Sequence, residues 1–267
     1  LAVFTVYYVF LYFAQDSILF MPDALSQDDL ARVRSQYPNT EELQIKTMDN
    51  LTLHGWFVKN PGPEQPPLLI YFGGNGDEMS KHLKDAMRFK GWSVALVNYR
   101  GYGLSQGRPG EESLFRDAVV IHDYLVTRKD VDTGNVIVMG RSLGTGVAVY
   151  LASQRPLKGV ILVSPYDSVN SVAKSRLPLA PVSLLSKHPF DSLSRAPFIT
   201  VPLLALAATE DRVIPPRHSR QLVESWGGPH TLQMITGADH NTIFFSPEYW
   251  TSITAFLNQL TPEKNPL

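Results

Sequence analysis

The chain has 267 residues, 24 basic and 25 acidic side chains, a formal net charge of -1 and no cysteine. That length carries one sizeable core, and the balanced charge excludes a protein built to neutralise a phosphate backbone, so no nucleic-acid partner is expected. The missing cysteine excludes disulfides, Cys-ligated zinc, iron–sulfur clusters and a thiol nucleophile.

The first element in chain order is apolar. Leu1 to Ala14 reads LAVFTVYYVFLYFA, with Thr5 its one clearly polar side chain. At about 1.5 Å per residue, fourteen residues fall short of a hydrocarbon core of about 30 Å. The chain starts at Leu, so the expectation is that a few apolar residues upstream would complete a membrane anchor. Tyr7, Tyr8 and Tyr12 suit a membrane interface. A helix packed on the protein and a signal-peptide remnant are the alternatives, but Phe13-Ala14-Gln15-Asp16 makes a poor cleavage site. The first basic residue is Arg32, so flanking charge gives no orientation. Residues 1–20 are thus expected to anchor to or associate with a membrane, and residues 21–267 to form one globular domain.

Leu51–Val58 alternates and predicts a half-exposed antiparallel strand. Short apolar runs follow at Leu68–Phe72, Ser93–Asn98, Asn135–Met139, Gly159–Val163 and Pro202–Ala208. They are of the kind that fills buried parallel strands. Helical patterns lie between them at Glu78–Phe89, Glu111–Val126 and Leu143–Ser153. Thr231–Ile235 adds a strand and Pro247–Leu260 a closing helix. This alternation predicts an α/β fold: a mostly parallel, doubly wound sheet with helices on both faces. Residues 166–200 interrupt it with four prolines (Pro178, Pro181, Pro189, Pro197). A connection that long at the carboxyl edge of a sheet reads as a cap over a site.

The pattern Gly-x-Ser-x-Gly occurs twice, around Ser105 and around Ser142. A nucleophile on this pattern needs a tight turn from strand to helix with small neighbours. Ser142 has that context: Asn135–Met139 runs into it and a helix follows at once. Ser105 does not, because Tyr99–Gly103 separates it from its strand and Pro109-Gly110 follows, so a loop is expected there. A serine nucleophile needs a base and a carboxylate that orients the base. Among seven histidines, His240 lies in a short loop after the last strand, at the carboxyl edge. Asp211 follows Pro202–Ala208 and is the first choice of acid, with Asp167 the runner-up; Glu210 and Asp239 are weaker. The oxyanion would be met by the backbone N–H of Leu143 and by one from the loop Gly73-Gly-Asn-Gly76, with Asn75 favoured and Gly74 the alternative. No Gly-Lys-Ser/Thr follows that loop, so it is not a phosphate loop.

With these residues in place the chain resembles the α/β-hydrolase superfamily. The resemblance is to its membrane-anchored branch of Bem-type eukaryotic proteins, depalmitoylase-like hydrolases and bacterial esterases. It is carried by Ile18-Leu-Phe-Met-Pro22, Phe72-Gly-Gly-Asn-Gly76, Asn98-Tyr-Arg-Gly-Tyr-Gly103, Gly140-Arg-Ser-Leu-Gly144, Ser164-Pro-Tyr-Asp-Ser168, Leu177-Pro-Leu-Ala-Pro-Val-Ser-Leu-Leu185 and Asp211-Arg-Val-Ile-Pro215. Gly73 stands where that branch often has His. The resemblance implies the triad Ser142, Asp211 and His240, with no cofactor and no metal. The expected activity is hydrolysis of acyl esters or thioesters, small or lipid-like. A serine peptidase, with Glu210 or Asp167 holding the substrate amine, and a non-catalytic membrane-tethered scaffold are the rivals.

Overall fold

The computed structural model describes residues 2–261, and of residues 2–7 the backbone alone. The chain opens with α1 (Ala2–Leu19) and α2 (Gln27–Gln36), then a hairpin of β1 (Glu41–Lys46) and β2 (Thr52–Lys59). β3 (Pro67–Phe72), α3 (Leu83–Ala86), β4 (Ser93–Val97), α4 (Glu111–Leu125), β5 (Asp132–Arg141) and α5 (Leu143–Gln154) follow. After β6 (Gly159–Val163) come α6 (Val169–Arg176) and α7 (Val182–Leu185). The chain closes with β7 (Leu203–Ala208), α8 (Pro216–Glu224), β8 (His230–Ile235) and α9 (Pro247–Leu260).

The strands form one eight-stranded sheet in the order β1-β2-β4-β3-β5-β6-β7-β8. β2 pairs antiparallel with β1 and with β4; the remaining pairs are parallel. β3, β4, β6 and β7 are apolar and buried nearly throughout because both faces are covered. One core cluster packs on α4 and α5, the other on α2, α3 and α9. The winding reverses at β3: β4 lies on one side of it and β5 on the other. A crevice therefore opens at the carboxyl ends of β3 and β5.

Three expectations change. Glu78–Phe89 is not one helix but a 3₁₀ turn at Met79–His82 followed by the short α3. β1 and α2 carried no sequence signal, since β1 is a charged edge strand and α2 is mostly polar. The N-terminal helix continues to Leu19, and among the described residues no helix is long and apolar enough to cross a membrane. α1 is docked on the segment between β6 and β7. Gln15 donates to Leu185 O and accepts from Lys187 N, both at 2.8 Å. Asp16 pairs with His188, and Tyr8 donates to Leu179 O. The side chain of Tyr7 lies outside the described residues.

Arg100 fixes the loop after β4. It is buried and makes two hydrogen bonds to buried Asp117 of α4, at 2.5 and 2.7 Å, and two to Asp49 of the β1–β2 turn, at 2.5 and 2.8 Å. Truncating it would leave Asp117 charged and unpaired in the core. Arg100→Ala is expected to lower the unfolding free energy by about 3–5 kcal/mol, measured by urea denaturation; a loss under 1 kcal/mol would show the pair to be dispensable.

Candidate active site

β5 ends in Gly140-Arg141 and α5 begins at Leu143, so Ser142 alone makes the turn between them. Its backbone sits at φ 50, ψ -117, a strained conformation for a residue with a Cβ. Two glycines permit it. A Cβ on Gly140 would lie 2.3 Å from Gly144 O, and one on Gly144 would lie 2.2 Å from Phe72 O. The Ser142 N–H donates to Val163 O at 2.9 Å, which pins the turn to the end of β6.

The structure brings the three expected side chains together. His240 Nε2 lies 3.0 Å from Ser142 Oγ, and His240 Nδ1 lies 2.7 Å from Asp211 Oδ2. The other Asp211 oxygen accepts from the N–H groups of Val213 and Ile214, at 2.8 and 2.7 Å. Burial alone would raise the Asp211 carboxyl, but the hydrogen bonds from His240 and Ile214 N hold it below the usual carboxylate value. The acid therefore stays ionised at neutral pH and can orient the imidazole.

The competing residues are engaged elsewhere. Ser105 Oγ is buried, accepts from His54 N at 2.8 Å and donates to Asn98 O at 3.0 Å. Asp167 pairs with His218 at 2.9 Å, not with His240. Glu210 is exposed, and Asp239 accepts from the N–H groups of Asn241 and Thr242 within its own turn. Among the described residues no three His, Asp or Glu side chains converge on a metal-sized site.

The loop after β3 lies against the nucleophile: a Cβ on Gly74 would be 3.6 Å from Ser142 Cβ. Its N–H groups are not equivalent. The Gly74 N–H donates to Asp77 Oδ2 at 2.6 Å, so the alternative oxyanion donor is already turned away. Asn75 remains the loop's candidate; the Leu143 N–H opens α5 and has no acceptor within its own helix. The loop's carbonyls are tied down by residues whose role the sequence did not reveal. Tyr99 donates to Gly73 O at 2.9 Å and Tyr102 to Asn75 O at 2.7 Å. Met21 N also donates to Asn75 O, at 3.0 Å.

Arg141, next to the nucleophile in sequence, was also missed. Its guanidinium donates to Asp77 Oδ2 at 3.1 Å, to His240 O at 3.3 Å and to Asn241 Oδ1 at 3.3 Å. It therefore ties the loop after β3 to the histidine loop. Burial alone would push the Asp77 carboxyl up; His82, Arg141 and the Gly74 N–H hold it well below the usual range. Asp77 is thus a fixed charge that orients the Gly74 peptide. Asp77→Ala releases that peptide, and kcat for an ester substrate is expected to fall by about 10²-fold with a smaller change in KM; an unchanged kcat would show that the loop holds its geometry without the carboxylate.

The chain is similar to known proteins over most of its length. Residues 68–191 match the family model described as serine aminopeptidase, S33. An uncharacterized protein of Mycobacterium tuberculosis is 32% identical over 87% of this chain and 83% of its own length. An uncharacterized membrane protein of Saccharomyces cerevisiae is 31% identical over 81% and 79%. The alpha/beta hydrolase domain-containing protein WAV2 of Arabidopsis thaliana is 27% identical over 84% and 80%. An esterase of Pyrococcus furiosus superposes with a TM-score of 0.70 at 20% identity, over 90% of this chain and 98% of its own. The strained serine turn, the crevice at the winding reversal and these relatives agree, and the chain belongs to the α/β-hydrolase superfamily.

Proposed function

We propose that the protein is a serine hydrolase of acyl esters or thioesters, working through an acyl-enzyme. The observation that carries this is the unbroken hydrogen-bond relay from Asp211 through His240 to Ser142 Oγ on a strained turn. Ser142 Oγ attacks the acyl carbonyl as His240 Nε2 takes its proton. Asp211 stabilises the imidazolium. The tetrahedral oxyanion is met by the N–H groups of Leu143 and Asn75, each contributing about 3 kcal/mol. His240 then protonates the leaving alcohol or thiol. Water, deprotonated by the same His240, releases the acid and restores Ser142. The chemistry uses no metal or cofactor.

In the rival peptidase reading Glu210 or Asp167 would hold the substrate amine; the pairing of Asp167 with His218 argues against Asp167 in that role. Ser142→Ala is expected to lower p-nitrophenyl butyrate hydrolysis by at least about 10⁴-fold and to abolish labelling by a fluorophosphonate. Ser105→Ala should remain labelled. A folded wild-type protein that neither cleaves esters nor reacts with the probe would leave the scaffold reading in its place.

We further propose that α1 and the segment between β6 and β7 associate with a membrane surface. α1 is tied to that segment through Gln15 and Asp16, which bond to Leu185, Lys187 and His188. Its outward side chains are Phe10 and Phe13, 64% and 71% exposed, and Leu179 and Leu184 beside them are 88% and 83% exposed. Such a helix suits the headgroup boundary, with its apolar face in the acyl region. Phe10→Ser with Phe13→Ser is expected to reduce cosedimentation with phospholipid vesicles at least about tenfold; equal binding by both proteins would place the contact elsewhere.

A further inference from the structure

On the face of the sheet covered by α3 and α9 lies a cavity of about 360 Å³. Its floor is Val94, Leu96 and Met139, and its aromatic walls are Phe89, Phe244 and Trp250. Trp250 Nε1 donates to Phe244 O at 2.9 Å, and its ring lies 6.0 Å from that of Phe89, so the walls hold one another in place. α5, which begins beside Ser142, packs on the opposite face. None of Ser142, Asp211 and His240 lines the cavity, so it is separate from the crevice of the nucleophile. Three of its lining residues, Asp77, Arg141 and Asn241, belong to the bridge that joins the loop after β3 to the histidine loop.

Two buried hydroxyls in the lining have no partner. Tyr71 of β3 and Tyr249 of α9 are 7% and 5% exposed, and neither hydroxyl makes a hydrogen bond among the described residues. Burial pushes both phenols up, so each stays protonated at neutral pH and offers an O–H as well as an acceptor. A buried hydroxyl without a partner is uncommon and invites a ligand that supplies one. The charges nearby restrict what that ligand is. Arg141 and His82 face Asp77 at 3.1 and 3.4 Å, Lys81 meets Asp23 at 2.5 Å, and Asp85 meets Arg88 at 3.5 Å. Each charged side chain in the lining thus has a partner, and a charged ligand would enter without a counter-ion.

We propose that this cavity is a ligand site apart from the catalytic crevice, for a neutral molecule with an aromatic body and one hydroxyl held by Tyr71 and Tyr249. A cavity of about 150 Å³ holds benzene, so one of about 360 Å³ takes two fused rings. Occupancy is felt at Ser142, because the ligand packs against Arg141, which bonds both Asp77 and His240 O. A filled cavity restrains that bridge and raises turnover. Binding stands apart from the serine-hydrolase reading; the effect on turnover rests on it.

The test uses the full chain and three probes of one shape: 2-naphthol, naphthalene and 2-naphthoate. Calorimetric titration is expected to show saturable binding of 2-naphthol, with naphthalene and 2-naphthoate each at least about tenfold weaker. That order is read on wild type and needs no variant. In Tyr71→Phe with Tyr249→Phe the preference for 2-naphthol over naphthalene is expected to vanish. The two hydroxyls bond to nothing, so the double variant should keep its fold and its Tm. The site is overturned by any of three results: no saturable binding of 2-naphthol, tighter binding of the naphthoate, or a preference over naphthalene that survives in the double variant. With p-nitrophenyl butyrate, saturating 2-naphthol is expected to raise wild-type kcat at least about twofold and to leave that of the double variant unchanged. A rise in KM alone would put the naphthol in the substrate crevice and overturn the separate site. A kcat that bound naphthol does not raise overturns the coupling. A wild type that binds the three probes in the expected order yet cleaves no ester keeps the site and overturns the hydrolase reading alone.

Discussion

The whole arrangement depends on how closely α5 can approach β3. Gly144 sits where any Cβ would strike the carbonyl of Phe72, and Gly140 where one would strike the carbonyl of Gly144. That contact lets β5 pass into α5 through a single residue, and it forces Ser142 to φ 50. The strain is stored by the surroundings, because the turn is pinned to Val163 and the helix behind it is buried. The consequence is chemical. A serine on such a turn stands proud of the sheet edge, with the first N–H groups of a helix beside it. The same approach brings the loop after β3 against Ser142, so one packing contact positions both the Ser142 hydroxyl and the loop proposed to meet an oxyanion.

The second requirement is that three loops from distant parts of the chain stay in register. The histidine, acid and oxyanion loops follow β8, β7 and β3. Arg141 joins the first and the last by bonding both Asp77 and His240 O, the tyrosines of Asn98–Gly103 hold the carbonyls of the loop after β3, and the acid loop is tied in through the Asp211–His240 bond. Asn98 itself receives Met79 N at 2.9 Å and donates to Glu78, which fixes the chain just past the oxyanion loop. A run that looks in sequence like a glycine-rich loop is thus the frame on which the oxyanion loop is built. Arg100, in the middle of that run, anchors the frame to α4 through a buried ion pair.

Legibility in the sequence follows from these physical terms. The parallel strands are buried on both faces, so they read as apolar runs and were placed correctly. Ser142, His240 and Asp211 could be read because each lies just beyond such a run, where the sheet edge forms the crevice. β1 and α2 were not readable, since their apolar side chains are few and pack only on a sheet edge or one face. Glu78–Phe89 has helical periodicity, yet Glu78 caps a 3₁₀ turn and the helix stays short. Arg141, Asp77, Tyr99 and Tyr102 act through contacts 26 to 99 residues apart, which no local pattern encodes. Asn98–Gly103 was marked as a motif, but what it holds lies in another loop.

α1 shows how composition can mark a segment and still leave its geometry open. Its apolar content suggested a helix that enters a bilayer end-on. The polar residues near its carboxyl end change the geometry. Gln15 and Asp16 find their partners on Leu185, Lys187 and His188, which lays the helix along the protein, with Lys187 Nζ 4.6 Å from the ring centre of Tyr12. A helix held that way cannot bury all of its apolar surface. One stripe covers a cavity next to α6 and the other faces outward through Phe10 and Phe13. The two stripes lie on opposite sides of the same short helix. In the proposed membrane association the outer stripe meets the lipid while the inner one stays on the protein, so contact with a membrane surface requires no span across it.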